Sequence, residues 1–194
     1  MLNYIQGKLD EVTPAYAVVD CGGVGYLMEI TLNTYTAIKD LKEVRLLAHE
    51  AIREDAHSLF GFFTAEERDM FRLLIGISGV GPATARMVLS TLTVDELRSA
   101  IIGQNAKRVQ SVKGIGPKAA QRIVLELHDK VGTGAASMAG VTAAMAAMEE
   151  VQAALLMLGF AKPAVEKALT KLSHDPACAH ASVEELIKLA LGML

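Results

Sequence analysis

The chain has 194 residues, of which 52% are hydrophobic, and a formal net charge of −3. That length predicts one or two domains with room for a small third, and the apolar content is enough for hydrophobic cores. No uncharged apolar run reaches membrane-spanning length, and the first residues lack the basic start and long apolar stretch of a secretory signal. Two cysteines far apart in sequence indicate no disulfide framework, so we expect a cytoplasmic protein in a reducing environment.

The acidic net charge conceals a basic central segment. Residues 64–130 carry ten Lys or Arg against seven Asp or Glu, and within 79–122 the count is seven against two. The flanks are acidic, since residues 1–63 carry five against nine and residues 131–194 carry four against six. Basic charge concentrated in one segment is typical of a surface that binds the nucleic-acid backbone.

The first 63 residues are predicted to form a small closed β-barrel of the OB-like type. Short apolar and β-branched runs alternate with turn sequences such as Cys21–Gly25, which is the pattern of short strands. The strands are expected at 2–9, 15–20, 25–32, 44–52 and 57–63. The turn Arg53–Ala56 places Glu54 and Asp55 side by side at an exposed tip, and by default such a pair is only a polar turn.

From Thr64 onward the apolar periodicity becomes helical. Thr64 with Glu67, and Thr93 with Glu96, have the spacing of a capping box, which predicts two helix starts. Apolar residues recur at three- and four-residue spacings, as in helices that pack on a core. Helices are expected near 65–75, 82–91, 94–103, 105–112 and 117–131. The sequence therefore predicts a second, helical domain over residues 64–131.

One short pattern occurs twice in this helical domain. The first copy is Ile77–Ala85 and the second, 35 positions later, is Val112–Ala120; both contain Gly-apolar-Gly-Pro. Two glycines around one apolar residue make a tight turn whose backbone can be approached closely. Proline then fits the first position of a helix, where a missing N–H costs nothing. The pattern therefore predicts two helix-hairpin-helix units that offer amide donors to phosphate oxygens.

Other glycine-rich phosphate sites fit this pattern less well. Neither copy is a Gly-x-Gly-x-x-Gly after a strand, as in dinucleotide sites, and no Gly-Lys-Ser/Thr follows, as in a P-loop. A single copy would be explained by a turn between packed helices, whereas two copies in the same order favour the nucleic-acid backbone as ligand. The predicted contact residues are Gly79, Val80, Gly81 and Thr84 in the first unit and Gly114, Ile115 and Gly116 in the second.

Basic side chains support phosphate binding by the second helix-hairpin-helix unit more than by the first. Lys118 and Arg122 lie four residues apart at the start of the helix after the second hairpin, and Lys113 lies just before it. Cations at a helix N-terminus oppose the helix dipole, so an outside anion explains them better. The first unit has Ala83 where the second has Lys118, and its nearest cation, Arg86, also fits an ordinary solvated surface. These four cations complete the predicted DNA contacts.

The last third of the chain begins with a segment of small uncharged residues, Gly132–Gly140, which predicts a flexible linker over 132–143. Three short amphipathic segments follow, near 145–158, 162–173 and 182–193. Ser182 with Glu185 offers a cap for the last of them. Leucine-rich faces and few cations predict a three-helix protein-docking domain over 144–194.

Catalytic chemistry finds little support in the sequence. No nucleophile elbow, zinc signature or catalytic pair of carboxylates is present. The nearest approach to a metal cluster is His174, Asp175, Cys178 and His180, which fall in a loop with Ala and Pro, where unliganded side chains are the favoured interpretation. We therefore expect no metal, no cofactor and no catalytic residue.

Taken in order, these elements give a chain that resembles the RuvA family of bacterial Holliday-junction-binding proteins. The likeness covers essentially the whole length: barrel, acidic tip, two helix-hairpin-helix units, linker and small helical domain. The residues that carry it are Gly22–Tyr26, Arg53–Ala56, Gly61–Phe62, Gly79–Pro82 and Gly114–Lys118.

The resemblance implies a non-enzymatic homotetramer, or an octamer of two tetramers, that holds four-way junction DNA open and flat. It implies that the third domain engages the RuvB ATPase, which drives branch migration, and that the RuvC resolvase is a further partner. It turns Glu54 and Asp55 into an acidic pin, which lies at the junction centre and repels phosphate. It also assigns backbone contacts to both hairpins, with Lys118 and Arg122 beside them. Ala83 is a departure, because the family often has lysine there.

Two other function classes remain open. A DNA glycosylase or nuclease that uses the same hairpins would need a nucleophile or metal ligands near the second hairpin and a pocket for a flipped base. Asp129 is the acidic candidate at a plausible distance, and nothing around it in sequence completes a site. A protein scaffold, in which the hairpins only pack helices, would show no salt-sensitive DNA binding.

Overall fold

The fold is described by a computed structural model. The described residues are 1–54, 56–136, 143–173 and 181–194. They form two units, Met1–Gly134 and Ala135–Leu194, and hydrophobic core residues are present in both. The first unit contains a β-barrel followed by helices, and the described part of the second contains helices alone.

Five strands close into a barrel at the start of the chain, as predicted. They are β1 (Tyr4–Val12), β2 (Tyr16–Asp20), β3 (Gly25–Ile30), β4 (Glu43–Ile52) and β5 (His57–Phe62). Their order around the barrel is β1-β2-β3-β5-β4, and β4 also pairs with β1. The pairs are antiparallel except for the parallel pair of β3 and β5. Alternate side chains point inward, and the buried ones include Ala17, Val19, Met28, Ile30 and Leu46.

One short helix lies where the sequence predicts none. The strand expected over 25–32 ends at Ile30, and α1 (Leu32–Ile38) follows it. Thr31 caps this helix, because its hydroxyl accepts a hydrogen bond from the Thr34 amide at 3.0 Å. The segment has seven residues and is rich in threonine, so it lacks the length and periodicity by which a helix is recognised.

In the first unit, five helices follow the barrel, close to the predicted positions. They are α2 (Ala65–Ile75), α3 (Pro82–Thr91), α4 (Val94–Ile102), α5 (Ala106–Gln110) and α6 (Pro117–Ala136). Thr93 and Glu96 form the complete capping box expected at the start of α4. Thr64 caps α2, but its predicted box is only half formed, because the Glu67 side chain turns toward the barrel instead.

Glu67 forms a buried contact between α2 and the barrel helix α1. Its carboxylate accepts hydrogen bonds from the hydroxyls of Thr31 and, at 2.6 Å, of Thr34. The Phe63 amide, just after β5, donates to the Thr34 hydroxyl at 3.1 Å. Burial raises the pKa of Glu67, and the hydrogen bonds from the two threonines oppose that shift in part.

A second set of polar contacts joins α3 to the barrel. Arg86 of α3 forms an ion pair with Glu29 of β3 at 2.9 Å and donates to the Ala15 carbonyl at 3.0 Å. Asn33 of α1 donates to the Leu89 carbonyl at 2.6 Å. The barrel and the helices that carry the first hairpin are therefore held in one relative orientation.

Helix α6 extends further than the sequence predicts. It continues to Ala136, whereas the sequence predicts an end at residue 131, so the first part of the expected linker is helical. Gly132 and Gly134 lie in this extension, and glycine is a weak helix former, which explains the early predicted end. Residues 137–142 of the expected linker lie outside the described residues.

Three helices follow α6 in the described part of the second unit, in agreement with the predicted segments. They are α7 (Ala143–Met157), α8 (Lys162–Ser173) and α9 (Val183–Leu191). Ser182 and Glu185 make the complete capping box predicted at the start of α9. The helices pack around a small core of Val151, Leu155, Val165, Leu172, Leu186 and Ala190.

Candidate nucleic-acid interface

The first hairpin joins α2 to α3. Gly79 has a φ of 88°, a conformation that glycine adopts without the strain imposed by a Cβ. The Val80 side chain is buried in the core, and its amide donates to the Ile77 carbonyl at 3.0 Å. One apolar anchor and one backbone hydrogen bond thus stabilise the turn from within.

The second hairpin, between α5 and α6, repeats this geometry. Gly114 has a φ of 90°, Ile115 is buried, and its amide donates to the Val112 carbonyl at 3.1 Å. The amides of Val80 and Ile115 are therefore engaged inside their turns. These two amides are therefore not free to donate to a ligand.

Each hairpin leads into a helix N-terminus whose first amides precede the intrahelical hydrogen bonds. Ala85 donates to the Gly81 carbonyl at 2.9 Å, and Ala120 donates to the Gly116 carbonyl at 3.0 Å. The helical amides before these two, which include that of Thr84, come too early for an intrahelical acceptor. Such amides at the positive end of a helix form an anion-binding site.

The second glycine of each hairpin is not required by the protein's own structure. Gly81 has an ordinary φ of −84°, and Gly116 also lies outside the left-handed region. A Cβ added to either glycine would meet no other atom within 4 Å. Both positions nonetheless lack a side chain, and both lie beside the early helix amides. A bare backbone facing open space is what the close approach of a ligand requires.

The lysines near the hairpins differ from the arginines in their pairing. Lys107, Lys113 and Lys118 are exposed, and none forms an ion pair with a carboxylate in the described part of the chain. All three lie close in sequence to the second hairpin. The uncompensated charge of the two repeats is therefore on the side of the second hairpin, as the sequence predicts.

The arginines are paired with carboxylates. Arg86, a predicted DNA contact, has its guanidinium bonded to Glu29 and the Ala15 carbonyl, so it lies in the contact between α3 and the barrel. Arg108 pairs with Glu96 at 3.0 Å. Because ion pairs neutralise these guanidinium groups, they add less positive potential than the charge count of the sequence indicates.

Arg122, predicted as a phosphate contact of the second hairpin, reaches the first hairpin. Its Nη1 donates to the Ser78 carbonyl at 2.9 Å, and its Nε lies 3.7 Å from the Glu126 carboxylate. Helical spacing correctly places Arg122 on the same helix as Lys118 but gives no sign of a partner 44 residues earlier. That contact depends on how the two repeats pack.

The acidic tip lies in the turn between β4 and β5. The Arg53 amide donates to the Ala56 carbonyl at 2.8 Å and closes this turn. Glu54 is exposed there, as the sequence predicts. Asp55, the other carboxylate of the predicted pin, lies outside the described residues.

The second unit carries exposed apolar side chains at the ends of two helices. They are Leu156 and Met157 at the end of α7, Leu158 and Phe160 just after it, Leu189 and Leu191 at the end of α9, and Met193 and Leu194 beyond it. Apolar groups that remain exposed in such numbers on a small unit are typical of a protein contact surface.

The described residues offer no metal-binding group of three or more His, Cys, Asp or Glu. The loop residues His174, Asp175, Cys178 and His180 lie outside the described residues. Asp129 contacts the His128 ring at 3.1 Å. Within the described ranges, the helices are too short or too polar to cross a membrane.

Comparisons with known proteins identify the family. The model named RuvA N terminal domain matches residues 1–61, and the model named RuvA, C-terminal domain matches residues 146–194. Between them, a SAM-like helix-hairpin-helix tandem matches residues 71–129. A protein of Bacteroides thetaiotaomicron is 47% identical over 100% of both chains. The chain belongs to the RuvA family.

Further RuvA relatives match over the same extent. A protein of Porphyromonas gingivalis is 42% identical, and one of Azobacteroides pseudotrichonymphae is 37% identical, in each case over 100% of both chains. All three relatives are named Holliday junction branch migration complex subunit RuvA. The helix-hairpin-helix match begins within α2 and ends within α6, so it contains both hairpins.

Proposed function

We propose that this protein binds four-way (Holliday) DNA junctions without reading their sequence, holds them open, and recruits an ATPase for branch migration in recombination and repair. Its relatives are named as subunits of a Holliday junction branch migration complex, which supports the junction as ligand. The two hairpins and the lysines beside them support contact with the sugar–phosphate backbone.

The observation that carries this proposal is the pair of bare glycines, Gly81 and Gly116. Neither is required by backbone conformation or by neighbouring atoms, and both lie beside early helix amides. A phosphate oxygen is the ligand that such amides favour. Because backbone amides contact phosphates and not base edges, binding is independent of sequence. Lys113 and Lys118 add counterion release at the second hairpin, so affinity falls as salt rises.

Preference for a junction over linear duplex is assigned to Glu54 and Asp55. Carboxylates near the crossing point disfavour nearby phosphates, and repulsion of the wrong arrangement adds to the selectivity that attraction provides. The exposure of Glu54 at the end of a strand hairpin supports this role.

The assembly is proposed to be a homotetramer, or an octamer of two tetramers, because four copies match the four arms of a junction. The ATPase partner is proposed to be RuvB, docked by residues 144–194, where the exposed apolar side chains around the ends of α7 and α9 suit a protein partner. RuvC resolvase is a further proposed partner. The chain itself is proposed to perform no catalytic step and to act in the cytoplasm, where bacterial junction DNA lies.

The test is a titration of a labelled four-way junction and a linear duplex of equal length at several salt concentrations. We expect tighter binding to the junction and a linear fall of log affinity with log salt. Lys113→Ala and Lys118→Ala should each lower the salt slope by about one for every subunit that contacts DNA, and thus by about four for a tetramer. Lys171→Ala, on an exposed face of α8, is the matched control and should leave the slope unchanged. Unchanged slopes in both hairpin variants would remove the second hairpin from the interface.

The acidic tip has its own test. Glu54→Lys with Asp55→Lys should raise affinity for duplex relative to junction, because attraction replaces repulsion at the centre. Glu54→Gln with Asp55→Asn, which removes charge without reversing it, should give a smaller change in the same direction. A ratio of the two affinities that stays constant in both variants would contradict the pin assignment.

A nuclease or glycosylase assay tests the non-catalytic part of the proposal. The purified protein, supplied with Mg²⁺, should leave damaged and branched DNA intact. Cleavage that persists through purification and disappears in Asp129→Asn would contradict it and support the enzyme hypothesis.

A further inference from the structure

The two hairpins are joined by one long side chain. Arg122 lies on α6, which leaves the second hairpin, and its Nη1 donates to the Ser78 carbonyl at 2.9 Å. Ser78 directly precedes Gly79, the residue of the first hairpin with a positive φ. The acceptor is therefore the peptide group that enters the turn of the first hairpin.

We infer that Arg122 is a positioning residue, which holds the first hairpin in the conformation that presents its amides to phosphate. The role in DNA binding rests on the proposed function, whereas the effect on the loop does not. A trans peptide is planar, with its carbonyl and N–H pointing in opposite directions. A guanidinium that holds the Ser78 carbonyl therefore also fixes the direction of the Gly79 N–H on the far side of the same plane.

The two repeats differ at the positions that matter for this role. In the first repeat, Met87 stands where the second has Arg122, and Ala83 stands where the second has Lys118. The first hairpin thus has no cation of its own at these positions, and its affinity for phosphate depends on how its amides are aimed. Arg122 supplies that orientation from the other repeat.

The surroundings of Arg122 suit a directed donor better than a free cation. Its Nε lies 3.7 Å from the Glu126 carboxylate one turn along α6, which restrains the guanidinium and offsets its charge. The side chain is 50% exposed, so the bond to Ser78 is not locked by burial. Lys118, one turn earlier, has no such ion pair with a described carboxylate and suits direct attraction of phosphate.

Amide hydrogen exchange in the DNA-free protein tests the effect on the loop. The Val80 amide, bonded to the Ile77 carbonyl, reports the first hairpin, and the Ile115 amide, bonded to the Val112 carbonyl, is the matched reference in the second. Arg122→Met introduces the residue found at the equivalent position of the first repeat.

Arg122→Met should accelerate Val80 exchange about two- to tenfold and leave Ile115 exchange unchanged, as the loss of one net hydrogen bond predicts. Lys118→Met should change neither amide. Unchanged Val80 exchange in Arg122→Met would overturn the inference. So would equal acceleration at both amides, because that result indicates general destabilisation.

A double-mutant cycle tests the consequence for binding. Arg122→Met should weaken junction binding in the wild-type background but by less than about twofold once Gly81→Ala has blocked close approach to the first hairpin. Lys118→Met should cause the same fold loss in both backgrounds, because it acts at the other hairpin. Equal losses from Arg122→Met in both backgrounds would identify a direct phosphate contact and overturn the positioning role. If the wild-type protein binds no junction, the proposed function fails, and the exchange result alone decides the effect on the loop.

Discussion

At the scale of single residues, the two glycines of each hairpin have separate physical roles. Gly79 and Gly114 adopt φ values of 88° and 90°, so the protein's own fold requires them. Gly81 and Gly116 adopt ordinary conformations and face open space, so the fold tolerates a side chain at both. Stability and binding can therefore be separated by substitutions only two positions apart.

We expect Gly79→Ala or Gly114→Ala to lower the free energy of unfolding by about 1–2 kcal/mol, because alanine is strained at positive φ. Gly81→Ala and Gly116→Ala should leave it unchanged or raise it by up to about 1 kcal/mol, since alanine restricts the unfolded chain. The same two variants should nonetheless weaken junction binding, because a methyl group then occupies the path of the phosphate. Urea unfolding and junction titration measure the two effects. Wild-type affinity in both of these variants would show that the bare backbone serves no ligand.

At the scale of elements, local sequence predicts the hairpins but not the contacts between elements. Gly-apolar-Gly-Pro encodes a turn and a helix start within a few residues, so the first hairpin follows from Gly79–Pro82 alone. Helix α1 does not, because its cap at Thr31 is completed by Glu67 from a helix far along the chain. The capping-box spacing predicts that the Glu67 side chain bonds to the Thr64 amide at the start of its own helix. Burial against the barrel makes the longer-range partners more favourable.

Contacts between distant elements also explain which features of the candidate site could not be predicted from the sequence. Charge counting predicts a basic surface and locates it near the second hairpin, where Lys113 and Lys118 are exposed. It cannot distinguish these lysines from Arg86 and Arg122, whose partners are Glu29 and the Ser78 carbonyl. Tertiary packing decides which basic side chains are unpaired and can contact phosphate. The spacing of residues along one helix does not reveal that packing.

Glu67, which lies between the barrel and the helices, should make the stability of the folded protein depend on pH. Burial raises its pKa in the folded protein above that in the unfolded chain. In the window between these pKa values the folded state binds more protons, so the stability contributed by this group falls as pH rises and is constant above the window. Glu67→Gln cannot titrate.

The free energy of unfolding of wild type minus that of Glu67→Gln should therefore fall as pH rises from the ordinary glutamate pKa, about 4.3, through the raised pKa of Glu67 in the folded protein. Urea unfolding at several pH values measures this difference. Glu66→Gln, at an exposed position on the same first turn of α2, is the matched control for the removal of a carboxylate from this turn. A difference that does not change with pH, or that rises with it, would contradict the role of burial at Glu67.

At the scale of the whole molecule, the proposed DNA contacts and the proposed protein-docking surface lie in two different units, each with its own hydrophobic core. The hairpins, the lysines beside them and Glu54 all lie in Met1–Gly134, whereas the exposed apolar side chains around the ends of α7 and α9 lie in Ala135–Leu194. Separate cores allow either unit to stay folded when the other is removed. Junction binding and coupling to the ATPase are therefore expected to be separable.

A chain that ends at residue 138 should bind the four-way junction with the affinity and salt slope of the full-length protein, because every proposed phosphate contact is retained. The same chain should fail to support ATP-driven branch migration by the partner ATPase, because the proposed docking surface is gone. Full-length protein with Lys171→Ala is a suitable control, since it alters an exposed residue of the second unit and should retain coupling. Branch migration of a labelled junction, measured at protein concentrations that saturate binding, separates lost coupling from lost affinity. Full coupling by the shortened chain would transfer the docking role to the barrel or the hairpin helices.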